Sequence, residues 1–128
     1  MPISTAAAMV SAARSRVEAL SVDQVSEEIT DERTLLVDLR EPDERANSGV
    51  IPGALHAPRG QLEVYADPTC PYHHAAFDPD ERVILYSASG RRSALAADTL
   101  QQLGYSRVAH LDGGFKAWIA AGMTIELI

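Results

Sequence analysis

Apolar positions in this chain gather into short continuous runs, separated by stretches where they recur every three or four residues. That alternation predicts strands interleaved with helices. Leu35, Leu36, Val37 and Leu39 make one compact run ending in Asp38 and Arg40, as expected of a strand buried on both faces with its polar end at a rim. Val83 to Tyr86 and Val108 to Leu111 make two more. Leu95, Ala96, Leu100 and Leu103 repeat at helical spacing, which predicts a helix beginning near Ser93 with Gly104 as its C-terminal cap. After the double glycine Gly113-Gly114, Phe115 to Ala121 predicts a closing helix. Upstream, Ala6 to about Leu20 has good helix propensity, and Ser21 with Gln24 has capping-box spacing for a helix running to about Ile29. Glu41 to Arg45, with Pro42 near the first turn and acids beside the positive end of the dipole, predicts a short helix. Ile51-Pro52-Gly53 is a turn, Ala54 to Ala57 a brief strand stopped by Pro58, and Gly60 to Tyr65 another short helix. Residues 66–82, with Pro68, Pro71 and Pro79, predict a long irregular excursion. Strands alternating with helices imply an α/β fold, a central mainly parallel β-sheet with helices on both faces.

The 128 residues suit one domain. With 46% hydrophobic and 23% charged residues the chain is globular, not collagen-like or disordered. Eleven basic against eighteen acidic side chains leave a net charge of −7, which argues against a nucleic-acid or anionic-membrane partner. No apolar run approaches the roughly eighteen residues of a membrane span. The Ala6 to Val10 segment precedes Arg14 and Arg16, the reverse of a secretory signal's charge order, so the expected location is cytoplasmic. Cys70 is the only cysteine, which excludes an internal disulfide and any multi-cysteine zinc site and fits a reducing compartment.

Candidate chemistry gathers where the Val83 to Tyr86 strand meets the following helix. In parallel sheets, ligands bind beyond the carboxyl ends of strands, where helix N-termini present unpaired N–H groups. Small residues Ala88, Ser89 and Gly90 allow backbone amides to turn inward, and Arg91 with Arg92 adds positive potential. The turn is either an anion cradle or a simple connection whose arginines are solvated.

At these residues the sequence closely resembles the rhodanese (thiosulfate sulfurtransferase) family, over roughly residues 20 to 126. The likeness rests on Val37-Asp38-Leu39-Arg40-Glu41, Gly49-Val50-Ile51-Pro52-Gly53-Ala54, Pro58-Arg59-Gly60, the loop Ser87 to Arg92 with Ser93, and Leu111-Asp112-Gly113-Gly114-Phe115 with Trp118. The resemblance implies a rhodanese-like domain over residues 21–128, preceded by an N-terminal helical extension over residues 1–20. It implies that a loop cysteine takes the outer sulfur of thiosulfate as a persulfide and passes it to cyanide or a thiol acceptor, without metal or organic cofactor. This chain departs from the family at that cysteine, where it has Ser87. A serine hydroxyl ionises far less readily than a thiol and needs an adjacent base, and Tyr86 and Ala88 supply none. Histidines 56, 73, 74 and 110 could approach only through the fold. The expectation is negligible thiosulfate:cyanide sulfurtransferase activity for the chain as written.

Ser87 is then either an engineered replacement or a natural serine in a non-catalytic anion- or partner-binding module. A phosphatase is a third possibility, disfavoured because Ser87 to Arg92 spans six residues, the length the resemblance associates with sulfur transfer. The remaining candidates are Ala88, Ser89, Gly90, Arg91 and Arg92 for the donor anion, with Arg59 either reaching the same pocket or forming a surface ion pair. Cys70 lies in an excursion expected to skirt the same rim, with the ordinary reactivity of a loop thiol as the simpler expectation. Cys70, His73 and His74 are too few and too crowded for a structural zinc site. Asp38 with Arg40 is expected to be a structural ion pair, Val50 stands where many relatives have histidine, and Leu111, Phe115 and Trp118 are assigned to the core.

Overall fold

A computed structural model describes residues 3–128. Its elements are α1 (Ala6–Arg14), β1 (Glu18–Leu20), α2 (Val22–Glu28), β2 (Leu35–Asp38), α3 (Pro42–Ser48), β3 (Leu55–His56), α4 (Leu62–Ala66), β4 (Val83–Tyr86), α5 (Arg91–Gln102), β5 (Val108–Leu111) and α6 (Gly114–Ala120), with a 3-10 turn at Arg59–Gln61. All five strands lie in one parallel sheet ordered β1-β5-β4-β2-β3. The fold is α/β, with helices on both faces.

The pleat separates two cores. Val37, Val83, Leu85 and Val108 point to the face covered by α4 and α5, where they meet Leu62, Ala96, Ala97 and Leu100. Leu36, Ile84, Ala109 and Leu111 point to the other face, against Val25 of α2 and Phe115 and Trp118 of α6. Every residue of β4 is fully buried, the pattern that made this run legible as a central strand. Its last residue, Tyr86, donates its hydroxyl to Asp38 Oδ2 at 2.7 Å and accepts the Ile51 N–H at 3.2 Å. Arg40 closes the same cluster through Nε and Nη2 to Asp38 (3.1 and 2.9 Å), Nη2 to the Gly49 carbonyl (2.7 Å), and a guanidinium centred 4.1 Å over the Phe115 ring. Asp38 and Arg40 are thus a buried structural pair that locks β2, β4 and α6 together at the carboxyl rim.

Three expectations need correction. The helix predicted to run from Ala6 to Leu20 ends at Arg14, and Glu18–Leu20 instead forms a strand paired with Ala109 to Leu111. Helix propensity continues through this segment, but parallel pairing with an otherwise open sheet edge outweighs it. The helix after β4 begins at Arg91 rather than near Ser93, because Gly90 at φ +96° takes the N-cap position. The irregular excursion sits at the opposite rim from the one expected. Tyr105, which precedes β5, donates its hydroxyl to the Ala66 carbonyl at 2.7 Å, and Ala75, Ala76 and Asp78 share a cleft with Thr34 and Leu35 at the start of β2. Cys70, whose N–H bonds the Asp67 carbonyl, belongs to this excursion and not to the rim that carries Ser87.

Candidate functional site

The loop Ser87–Gly90 leaves β4 at the carboxyl rim and feeds directly into α5. Two glycine turns shape it. Gly90 adopts φ +96°, and a Cβ there would sit 3.2 Å from the Gly113 nitrogen. Gly114, at φ +63°, packs so closely beneath the loop that a Cβ would meet the Ser87 carbonyl oxygen at 2.6 Å and the Ala88 carbonyl at 2.7 Å. That approach lets the first N–H groups of α6 bond the loop: Phe115 N–H donates to the Ser87 carbonyl at 2.8 Å and Lys116 N–H to the Ala88 carbonyl at 3.0 Å. In a trans peptide the N–H points opposite to its carbonyl. Fixing those two carbonyls on α6 therefore turns the N–H groups of Ala88 and Ser89 away from α6, toward the loop's interior.

Among the described residues, none of the five N–H groups of residues 88–92 donates to a protein acceptor. The next one does: Ser93 N–H donates to Ser87 Oγ at 3.1 Å. Ser87 is only 1% exposed, so its side chain forms the floor of a ring of unpaired backbone donors at the N-terminal end of a twelve-residue helix. Such a ring favours a negative charge.

Among the described residues, no base reaches Ser87. The nearest histidine by connectivity is His110 on β5, fully buried, with Nδ1 2.9 Å from Ser93 Oγ. Ser93 Oγ also lies 3.2 Å from the Gly90 carbonyl. Both contacts are met when Nδ1–H donates to the hydroxyl and the hydroxyl donates to the carbonyl, which leaves Nε2 as the buried nitrogen without a partner. Burial pushes the His110 imidazole below its ordinary range; Asp112 acts upward and Arg14 downward. His110 thus orients Ser93, whereas His56 is bonded to the Arg40 carbonyl. His73 and His74, on the excursion, engage the backbone of Phe77 and Ala76.

Of the two cations that the sequence placed at the loop, only one has an unpaired guanidinium. Arg91 is exposed and has no carboxylate partner among the described residues, but Arg92 is held in a bidentate bridge to Glu44 of α3 at 2.8 and 2.9 Å. This bridge lowers the Glu44 carboxyl to about 2, the hydrogen bond from Arg92 being the main cause. Arg59 does not line the loop. Its guanidinium binds Glu63 at 2.9 Å and approaches Thr99 at 3.4 Å, eight residues along α5 from Arg91. Of the eleven basic side chains, seven lie within 4.0 Å of a carboxylate among the described residues. The four that do not are Arg14, Arg91, Arg107 and Lys116; Arg91 follows the loop directly, Arg14 stands near Gly90, and Lys116 bonds the loop through its backbone N–H. Arg14 comes from α1, its Nη2 3.7 Å from where a Gly90 Cβ would stand; Lys116 follows from α6. Neither carried a local sequence signal, since both reach the loop only through helix packing.

The family described as Rhodanese-like domain matches residues 21–121. A sulfurtransferase of Allochromatium vinosum is 36% identical over 110 residues, spanning 85% of this chain and 94% of that protein. A protein of unknown function from Rhodopseudomonas palustris, described as a possible tyrosine phosphatase, superposes with a TM-score of 0.90 at 39% identity, covering 98% of this chain and 99% of that one. The polysulfide-sulfur transferase homodimer of Wolinella succinogenes superposes with a TM-score of 0.77 at 26% identity, over 94% of this chain and 86% of that one.

Proposed function

The chain belongs to the rhodanese-like domain family, and from that premise we propose that the Ser87–Arg92 loop is its sulfur-transfer site, with Ser87 in the nucleophile's place and the chain as written inactive toward thiosulfate and cyanide. The observation that carries this reading is the ring of five free N–H groups around a buried residue 87, whose side chain receives the sixth, from Ser93. Donors so arranged stabilise a thiolate, and the sulfonate end of thiosulfate, through charge-assisted hydrogen bonds. With oxygen at this position nothing removes the proton. Ser87 Oγ accepts from Ser93 N–H and has no histidine or carboxylate partner among the described residues.

Restoring sulfur supplies the missing chemistry. In a Ser87→Cys protein the thiolate attacks the outer sulfur of thiosulfate, the sulfur–sulfur bond breaks, and sulfite leaves with the electron pair. Cyanide then attacks the terminal sulfur of the persulfide, releasing thiocyanate and regenerating the thiolate. Ser87→Cys should therefore form thiocyanate well above the uncatalysed rate, while the parent and Ser87→Ala stay at background. Thiocyanate production by the parent that disappears in Ser87→Ala would overturn the assignment.

A Ser87→Cys protein that folds and binds sulfate but transfers nothing would favour the alternative, an anion- or partner-binding module without catalysis. The description of the Rhodopseudomonas palustris relative makes phosphate esters a useful control. Ser87 to Arg92 spans six residues, the length that the family resemblance associates with sulfur transfer, so Ser87→Cys should leave p-nitrophenyl phosphate uncleaved.

A further inference from the structure

Helix α1 builds a second concavity against the loop. A cleft of about 290 Å³ is lined by Ala6, Ala7, Val10, Ser11 and Arg14 of α1 and by Arg91 of α5. Two like charges share this one small space. Neither has a carboxylate within 4.0 Å among the described residues, in a chain that carries seven more acids than bases. The acids that could have neutralised them are otherwise placed. Asp98 of α5 is bridged by Arg16 at 2.7 Å, and Asp112, at the β5–α6 turn, is exposed and pairs with neither arginine. Arg14 Nη2 also stands 3.7 Å from where a Gly90 Cβ would lie, so the cleft borders the loop that carries the amides. Two arginines lining one cleft with short aliphatic side chains suit a carboxylate on a small organic body; a bare inorganic anion would leave the apolar lining unused.

We propose that the cleft between α1 and the first turn of α5 binds the carboxylate end of a small organic thiol, with Arg14 and Arg91 as the recognition pair, so that the thiol serves as sulfur acceptor at the adjoining loop. The inference rests on the sulfur-transfer reading for the thiol's role but not for its binding. It is tested on the chain with Ser87 in place, where no turnover intervenes.

Amide and arginine side-chain NMR titrations would compare glutathione (carboxylates and thiol), S-methylglutathione (the same carboxylates, no free thiol) and 2-mercaptoethanol (thiol, no carboxylate). The expected result is that glutathione and S-methylglutathione both shift the resonances of residues 6–14 and Arg91, and that 2-mercaptoethanol binds at least about tenfold more weakly, the scale of one charge-assisted hydrogen bond. Arg14 is exposed, so Arg14→Gln should keep the thermal midpoint while weakening glutathione by about tenfold, and Arg91→Gln should do the same. Equal affinity for 2-mercaptoethanol, shifts confined to residues 87–90, or an unchanged glutathione affinity in Arg14→Gln would overturn the proposal. Failure of the sulfur-transfer reading looks different: Ser87→Cys would still bind glutathione in the cleft yet form no thiocyanate from thiosulfate and cyanide.

Discussion

Arg91 and Arg92 are neighbours in the chain and have opposite fates in the fold. A helix turns its side chains by about 100° per residue, so Arg91 faces solvent and α1 while Arg92 faces α3 and its Glu44. The sequence made both look like anion ligands because it shows charge and not partners. The bridge has a pH consequence that can be measured. Glu44 is lowered from 4.5 to about 2 by the Arg92 hydrogen bond. A carboxyl with a depressed folded pKa contributes stability that is full above its unfolded value and fades as pH falls toward the folded one. The bridge should therefore add acid sensitivity between about pH 4.5 and 2. Urea titrations across that window should show a shallower loss of stability for Glu44→Gln than for the parent. Parallel curves would mean that the bridge contributes nothing; both partners are about one-third exposed, so its worth is screened. Ser87 shows the reverse case. Its identity was plain from the sequence, but that it lies buried beneath a ring of amides, with no base in reach among the described residues, is a fact of packing.

At the scale of elements, the short helix α6 organises the loop by docking two N–H groups onto the Ser87 and Ala88 carbonyls. The double glycine predicted a turn; its larger role is to remove the Cβ that would otherwise collide with those carbonyls. Gly114→Ala places a methyl within 2.7 Å of loop backbone at a φ that disfavours side chains. We expect a cost of about 2–5 kcal/mol, together with displacement of the loop. Any sulfate-dependent stabilisation should fall by more than in a control such as Gly122→Ala, where a Cβ meets nothing within 4 Å. Gly122 also has positive φ (+71°), so the contrast isolates the collision from the backbone strain. Equal losses at the two glycines would remove α6 as the loop's organiser. Strands β2, β4 and β5 were legible because runs buried on both faces leave a mostly apolar pattern, broken only by Asp38 and His110. β1 was not, since only Leu20 of its three residues is buried and its partners lie 91 positions downstream.

For the whole molecule, the N-terminal segment divides into parts with different duties. α1 lies against α5 and buries Val10 and Ala13, worth about 2–3 kcal/mol, whereas β1 completes the sheet and offers Glu18 to Arg82 at 2.8 Å. Removing residues 1–16 should lower the thermal midpoint by about 10 °C with unfolding still cooperative. Removing residues 1–20 should cost at least twice as much, because the β5 edge is then uncovered and Arg82 loses a partner. Calorimetry of the two truncations decides this, and equal midpoints would place β1 outside the cooperative unit. The sequence by itself determined the alternation of strands and helices, the six-residue loop and the oxygen at its head. Those are properties of neighbours along the chain, fixed by periodicity and residue chemistry. Only the tertiary structure decided which charges face that loop, because a guanidinium's role depends on whether a carboxylate reaches it. Arg92 is neutralised by a residue 48 positions away, while Arg14 arrives from a helix that no local pattern ties to the site.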